Sequence, residues 1–364
     1  MVSAPRRPGG RDTNKGRAVP TATHKTKDTM MIELRHDALV LSFPEVHSEA
    51  VLQIDFQRTL RIPDNDTDHA LPPGLGRFPL RHLDDFTARV PDPWLARGGV
   101  LLPMYQSEAM WLRFSARGGY PFAVKIATGK INAVTGDGWD DGLHRRPQDY
   151  VMVPGQPWLD GYAVEKGIIR QFVAMPLGSG YSAEEQITDR AEHGGLQLVA
   201  YPMEAKAYED LFGPNEVRYS NHRFYSRVED AHSPAMGLAP GGRMRQEIYA
   251  DPHSLDVWDT RHQSRCFVHL VNSVVWRAIT DEDPPTVPPT AKEYTEVGLP
   301  WFDYYGGDRK ALEGGEELRK LRSVLELGKE KGHVPLPENE PVTPERITQL
   351  RPGLRKDQVR GGRS

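Results

Sequence analysis

Three observations predict a mainly β protein, an antiparallel β-sandwich or barrel-like core with a few peripheral helices. Short apolar runs alternate with a period of two, and 34 glycines and 31 prolines cut the 364 residues into short pieces. Stretches with a 3.6-residue period and a capping residue are few and lie mostly late in the chain.

The first strand-like run is Ile32 to Phe43, with Leu39, Leu41 and Phe43 on one face; after a loop at Pro44 to Glu49, Leu52, Ile54, Phe56, Leu60 and Ile62 continue the alternation. These two pieces are expected to pair antiparallel. A second hairpin is read from Met110, Leu112 and Phe114 against Phe122, Val124 and Ile126, joined by the turn-rich Ala116 to Pro121. Further strands are expected at Tyr150–Val153, Ile168–Ala174, Leu196–Tyr201, Arg223–Val228, Met244–Tyr249 and Arg265–Val271, about ten in all. Helices are expected after the capping box Thr290 to Glu293, after Ser182, and over Glu316 to Leu327, where Leu318, Leu321, Val324 and Leu325 form one stripe. Asn272 to Thr280 begins like a strand and finishes like a helix.

Residues 1–29 read as a disordered basic tail, 30–333 as one large β-rich domain with a possible division near 145, and 334–364 as a disordered tail rich in Pro, Arg and Gly. Met30 and Met31, just ahead of the first strand, are the expected natural start. The two ends hold 13 of the 46 basic and 6 of the 50 acidic residues, which leaves the middle at a net charge of −11. Such an acid excess repels phosphate backbones, so no nucleic-acid partner is expected. No window reaches the roughly twenty apolar residues of a membrane span, so no membrane partner and a cytoplasmic location are expected. The single cysteine, Cys266, excludes an internal disulfide and any multi-cysteine zinc site.

Several familiar motifs are missing. Ser179 lacks the glycines of a nucleophile elbow, Thr128 to Ile131 lacks the rest of a phosphate loop, and Gly74-Leu75-Gly76 does not continue into a dinucleotide fingerprint. His253, His262 and His269 are spaced unlike metal ligands, and Asp137, Asp140 and Asp141 lack the alternation of a calcium loop, so neither a metal nor a cofactor is expected. Lys125 and Lys130 flank an apolar stretch; such lysines serve as bases or, more commonly, snorkel out of the sheet.

Two near-repeats stand out: Pro157-Trp158-Leu159-Asp160-Gly161-Tyr162 and Pro300-Trp301-Phe302-Asp303-Tyr304-Tyr305. Aromatic faces and carboxylates together suit a polyol or glycan; the alternative role is to anchor loops to the core. Arg243 and Arg245, after the glycine-rich Met236 to Gly242, and Arg170 could clamp an anion. The expected ligand site is therefore Trp158, Asp160, Tyr162, Arg170, Arg243, Arg245, Trp301, Asp303 and Tyr305.

The runs Gln156 to Gly161, Ile169 to Gly178, Gly241 to Gln246 and Gly298 to Asp303 resemble a widespread family of uncharacterised bacterial and fungal soluble proteins, sometimes labelled integral membrane proteins. The resemblance covers residues 31–327 and implies no activity. The functional expectation is a soluble β-rich binding or scaffold protein whose ligand is a polar or anionic small molecule or a glycan. The alternative is a carboxylate-dependent hydrolase using Asp160, Glu165 or Asp303 on a glycan.

Overall fold

The computed structural model describes residues 31–65, 67–213, 235–304, 309–334 and 337–350. Its first nine strands are β1 (Met31–Leu34), β2 (Ala38–Ser42), β3 (Val51–Thr59), β4 (Gly74–Arg77), β5 (Arg81–His82), β6 (Val100–Met104), β7 (Ala109–Ala116), β8 (Phe122–Thr128) and β9 (Ile131–Asn132). The other nine are β10 (Val151–Val153), β11 (Trp158–Leu159), β12 (Gly161–Glu165), β13 (Ile168–Pro176), β14 (Leu196–Pro202), β15 (Met236–Arg245), β16 (Ser264–Asn272), β17 (Trp301–Tyr304) and β18 (Ile347–Leu350). One sheet runs β1-β2-β3-β7-β13-β12, with β4 on β3, β11 on β7 and β15 on β13. The second runs β10-β8-β14-β16-β6-β5, with β9 on β8. Pairing is antiparallel except for β16 with β6 and β17 with β18. The sheets do not close into a barrel.

One apolar cluster joins the two sheets. Leu52, Ile54, Phe56, Met110 and Leu112 of the first meet Phe122, Val124, Ile126, Leu198 and Leu270 of the second, all buried. Alternation explains which residues these are: successive side chains of a strand point to opposite faces, so every second position enters the sandwich. Burying apolar surface at roughly 25 cal/mol per Å² is what holds two such faces together.

The second predicted hairpin is corrected by this arrangement. Met110, Leu112 and Phe114 on β7 do face Phe122, Val124 and Ile126 on β8, but across the sandwich rather than side by side. β7 pairs with β3 over its full length and β8 pairs with β14. The turn through Gly118 and Gly119, both at positive φ, carries the chain from one sheet to the other. The expected first strand is two, because His36 and Asp37 take the left-handed conformation and close a hairpin between β1 and β2.

Met236 to Gly242, read as a glycine-rich loop, is instead most of β15. Its glycines serve close approach: a Cβ on Gly241 would lie 2.5 Å from Val173, and one on Gly242 would lie 2.4 Å from the carbonyl oxygen of Pro63.

Seven α-helices are described: α1 (Asp92–Leu95), α2 (Ala183–Thr188), α3 (Ala205–Phe212), α4 (Ser273–Thr280), α5 (Ala291–Glu296), α6 (Glu316–Arg319) and α7 (Val324–Glu330). The capping boxes at Ser182 and Thr290 are present, and Asn272 caps α4 where β16 ends. The single helix expected over Glu316 to Leu327 is divided, since Ser323 starts α7 with a capping box of its own. Within the stretch expected as a C-terminal tail, β18 pairs with β17. The strand expected at Arg223–Val228 lies outside the described residues. No helix among the described residues is long and apolar enough to cross a membrane.

Candidate functional site

The two Pro-Trp repeats do meet. Trp158 on β11 and Tyr304 on β17 pack edge to face with ring centres 4.6 Å apart, and Arg245 on β15 donates to Asp303 at 2.8 Å. The crevice between them, lined by Leu71, Trp158, Arg245, Tyr249 and Tyr304, encloses only about 10 Å³. That is room for about one water rather than a sugar ring.

Its polar members are moreover engaged. Arg243 donates to Asp68 at 2.7 Å and to Glu165 at 2.9 Å, while Arg170, its cross-strand neighbour, lies 3.6 Å from Asp64 and 3.7 Å from Glu326. The expected anion clamp is thus a set of ion pairs already made within the protein. Tyr162 and Trp301 are core residues: the Tyr162 hydroxyl bonds Thr128 and the Leu238 carbonyl, and the Trp301 indole donates to Thr295 Oγ1. Asp160 is buried and accepts from Gln246 at 2.8 Å. Burial pushes its carboxyl up to about 7, against hydrogen bonds from Trp158 and Gln246 that favour the charged form. Asp160, Glu165 and Asp303 are instead engaged by Gln246, Arg243 and Arg245 respectively, and none of the three lines the crevice beside Trp158. Tyr305 lies outside the described residues.

Among the described residues, one group has the spacing of metal ligands: Asp140, His144 and Asp149. A cation already sits there, for the Lys125 ammonium lies 2.6 Å from Asp149, 3.4 Å from Asp140 and 2.5 Å from the Gly142 carbonyl. Lys125, only 1 % exposed, therefore neither snorkels to solvent nor stands free as a nucleophile. The histidines of 251–269 go separate ways: His262 bonds Asp259, His269 bonds the Gly98 carbonyl, and His253 packs on Trp258.

A cavity of about 390 Å³ lies elsewhere, on the outer face of the second sheet. Strand alternation builds its floor. Gln197 on β14 and Arg265 and Phe267 on β16 point away from the sandwich because Leu198, Cys266 and Val268 point into it, and Lys125 on β8 lies on the same outer face beneath Trp139 without lining the cavity. Gln197 stands in register with Phe267, and Lys125 and Arg265 both oppose Val199.

The loop after β9 forms the roof. The indole of Trp139 donates to Asp141 at 2.8 Å and lies over the Lys125 ammonium, 5.3 Å from the ring centre. Arg265 pairs with Asp141, and the Tyr201 hydroxyl donates to the Asp141 carbonyl. The indole N–H and Arg265 hold the Asp141 carboxyl below the usual range. Arg97, Lys130 and His193 complete the wall.

Two features make this cavity the candidate site. Among the described residues, Arg97 and Lys130 form no ion pair; Arg97 donates only to the His193 and Glu192 carbonyls, at 3.3 and 3.4 Å. The Nε2 of Gln197, a residue 3 % exposed, has no hydrogen-bond partner. A buried amide left unpaired costs about 1–3 kcal/mol, a deficit that a bound acceptor removes. Sequence reading singled out Lys130, Asp140 and Asp141 for other reasons but passed over Arg97, His193 and Gln197, because each is an isolated polar position on an alternating strand or in a loop. The one signal available was the outward row of Lys125, Gln197 and Arg265.

No protein-family model matches the chain, and neither the curated proteins nor the solved structures yield a match.

Proposed function

We propose that this protein binds a small anionic molecule with a planar or apolar part in the cavity between Trp139, Phe267, Gln197, Arg97 and Lys130. The observation that carries this reading is the buried, unpaired Gln197 amide set in the same wall as two cations without carboxylate partners. Charge-assisted hydrogen bonds from Arg and Lys to a carboxylate or phosphate contribute about 1.5–3 kcal/mol each. Trp139 and Phe267 give the remainder of the ligand an apolar face, and 390 Å³ falls in the range of small-molecule pockets, roughly 300–1,000 Å³.

The acid excess of the central residues opposes a nucleic-acid partner, and a cytoplasmic location accords with a single, buried cysteine. Titration calorimetry with phenyl phosphate, benzoate and citrate tests the proposal. Binding of at least one probe is expected, weakened tenfold or more in the double variant Arg97→Ala, Lys130→Ala. Absence of binding by all three, or affinity unchanged in that variant, refutes it.

A further inference from the structure

We infer that His193 and Glu184 form a proton-transfer dyad in this cavity, and that the protein hydrolyses carboxylic esters bearing an anionic group. The inference rests on the binding reading above and assigns it a chemistry. Glu184, on α2, is 3 % exposed and accepts three hydrogen bonds: from the His193 backbone N–H at 2.9 Å, from His193 Nδ1 at 2.7 Å and from the Gly194 N–H at 2.7 Å. Gly129 makes room for it, since a Cβ there would lie 2.4 Å from Glu184 Oε2.

An ionised carboxylate only accepts, so Nδ1 must carry the proton and the neutral imidazole keeps its lone pair on Nε2. That Nε2 has no partner among the described residues, and His193 lines both the cavity and the narrower crevice beside it, together with Arg97, Gln197 and Phe267. A base oriented by a buried acid, an unpaired amide donor and two cations stand in one wall. A ligand-binding pocket needs the cations; it has no need of a histidine whose tautomer is set.

The step follows from these parts. His193 Nε2 takes a proton from water as the water oxygen bonds to the acyl carbon, and the oxyanion so formed accepts a hydrogen bond from Gln197 Nε2. The tetrahedral intermediate collapses, the bond to the alcohol oxygen breaks, and the imidazolium returns its proton to that oxygen. Ester and water become acid and alcohol. Arg97 and Lys130 hold the anionic group, and Glu184 acts as a positioning residue.

The test uses the full chain with mono-4-nitrophenyl succinate, following release of 4-nitrophenol, and with phenyl phosphate binding measured on the same samples. Saturable hydrolysis is expected. His193→Gln should lower kcat about 100-fold or more, and Lys130→Ala should raise KM. Hydrolysis no faster than that of imidazole at equal concentration, or a His193→Gln rate equal to wild type, overturns the dyad while leaving the cavity reading intact if phenyl phosphate still binds. Failure of phenyl phosphate to bind counts against the cavity itself. Nitrogen-15 spectra of the unsubstituted protein settle the tautomer whether or not the variant folds: protonation at Nδ1 supports the dyad, and protonation at Nε2 overturns it.

Discussion

Asp160 shows how a residue that reads as a ligand can serve the interior instead. Its motif, Pro-Trp-apolar-Asp, places a carboxylate beside an aromatic ring, and in the fold that carboxylate is buried against Gln246. Because burial raises its folded-state pKa to about 7 while an unfolded aspartate titrates near 3.9, the unfolded chain binds fewer protons between those values. Stability contributed at low pH is therefore lost as pH rises from about 4 to 7, by an amount on the order of 3 kcal/mol. Asp160→Asn, which stays neutral, should lose none of it. Urea unfolding at pH 5 and pH 8 should show the variant gaining on wild type at the higher pH. The motif showed that Trp158 and Asp160 were constrained, but the constraint is internal. Gln197 was illegible for the opposite reason: one polar position in an alternating strand looks like any other until its amide is found without a partner.

Elements were easier to read than their pairings. Period-two patterns and capping boxes are local, and β2, β3, β7, β8, β13, β14 and β16 lie where alternation predicts them. Whether two strands share a sheet is decided by partners far along the chain, so β7 and β8, joined by a short turn, fall in opposite sheets. β15 was hidden by its glycines, which suit a loop as well as a crowded strand. Gly242 lies under the carbonyl of Pro63, and its φ is not among the positive ones, so the obstacle to a side chain there is steric. Gly242→Ala should cost about 1–3 kcal/mol through displaced backbone, read as a lower urea midpoint with an unchanged m-value. A midpoint equal to wild type would mean that the segment at Pro63 yields freely.

At the scale of the whole molecule, composition and alternation sufficed for the sandwich, whereas the cavity was beyond reach. It draws on Arg97, Lys130, Trp139, His193, Gln197 and Arg265, contributed by strands and loops that only the second sheet brings together. Long-range closure also governs the end of the chain. Asn339 accepts from Arg61 and from the Asp64 N–H, and the Trp301 N–H donates to the Arg346 carbonyl at 2.9 Å. Ending the chain before Glu338 should accelerate hydrogen exchange at Trp301, measured by mass spectrometry, while the amides of β8 and β14 stay protected. Protection lost equally across both sheets would instead make the last segment part of the cooperative core.

The parallel pair of β6 and β16 sets a schedule on the ribosome. Val100 to Met104 align with Val268 to Asn272, so β6 must wait, unpaired on that side, until more than half of the remaining chain has been made. At roughly 5–20 residues per second that interval is on the order of ten seconds or more. Arg97, just ahead of β6, and Arg265, on β16, meet only when it ends. The proposed ligand site is therefore incomplete before β16 emerges, and β6 spends the interval as an apolar strand without its parallel partner.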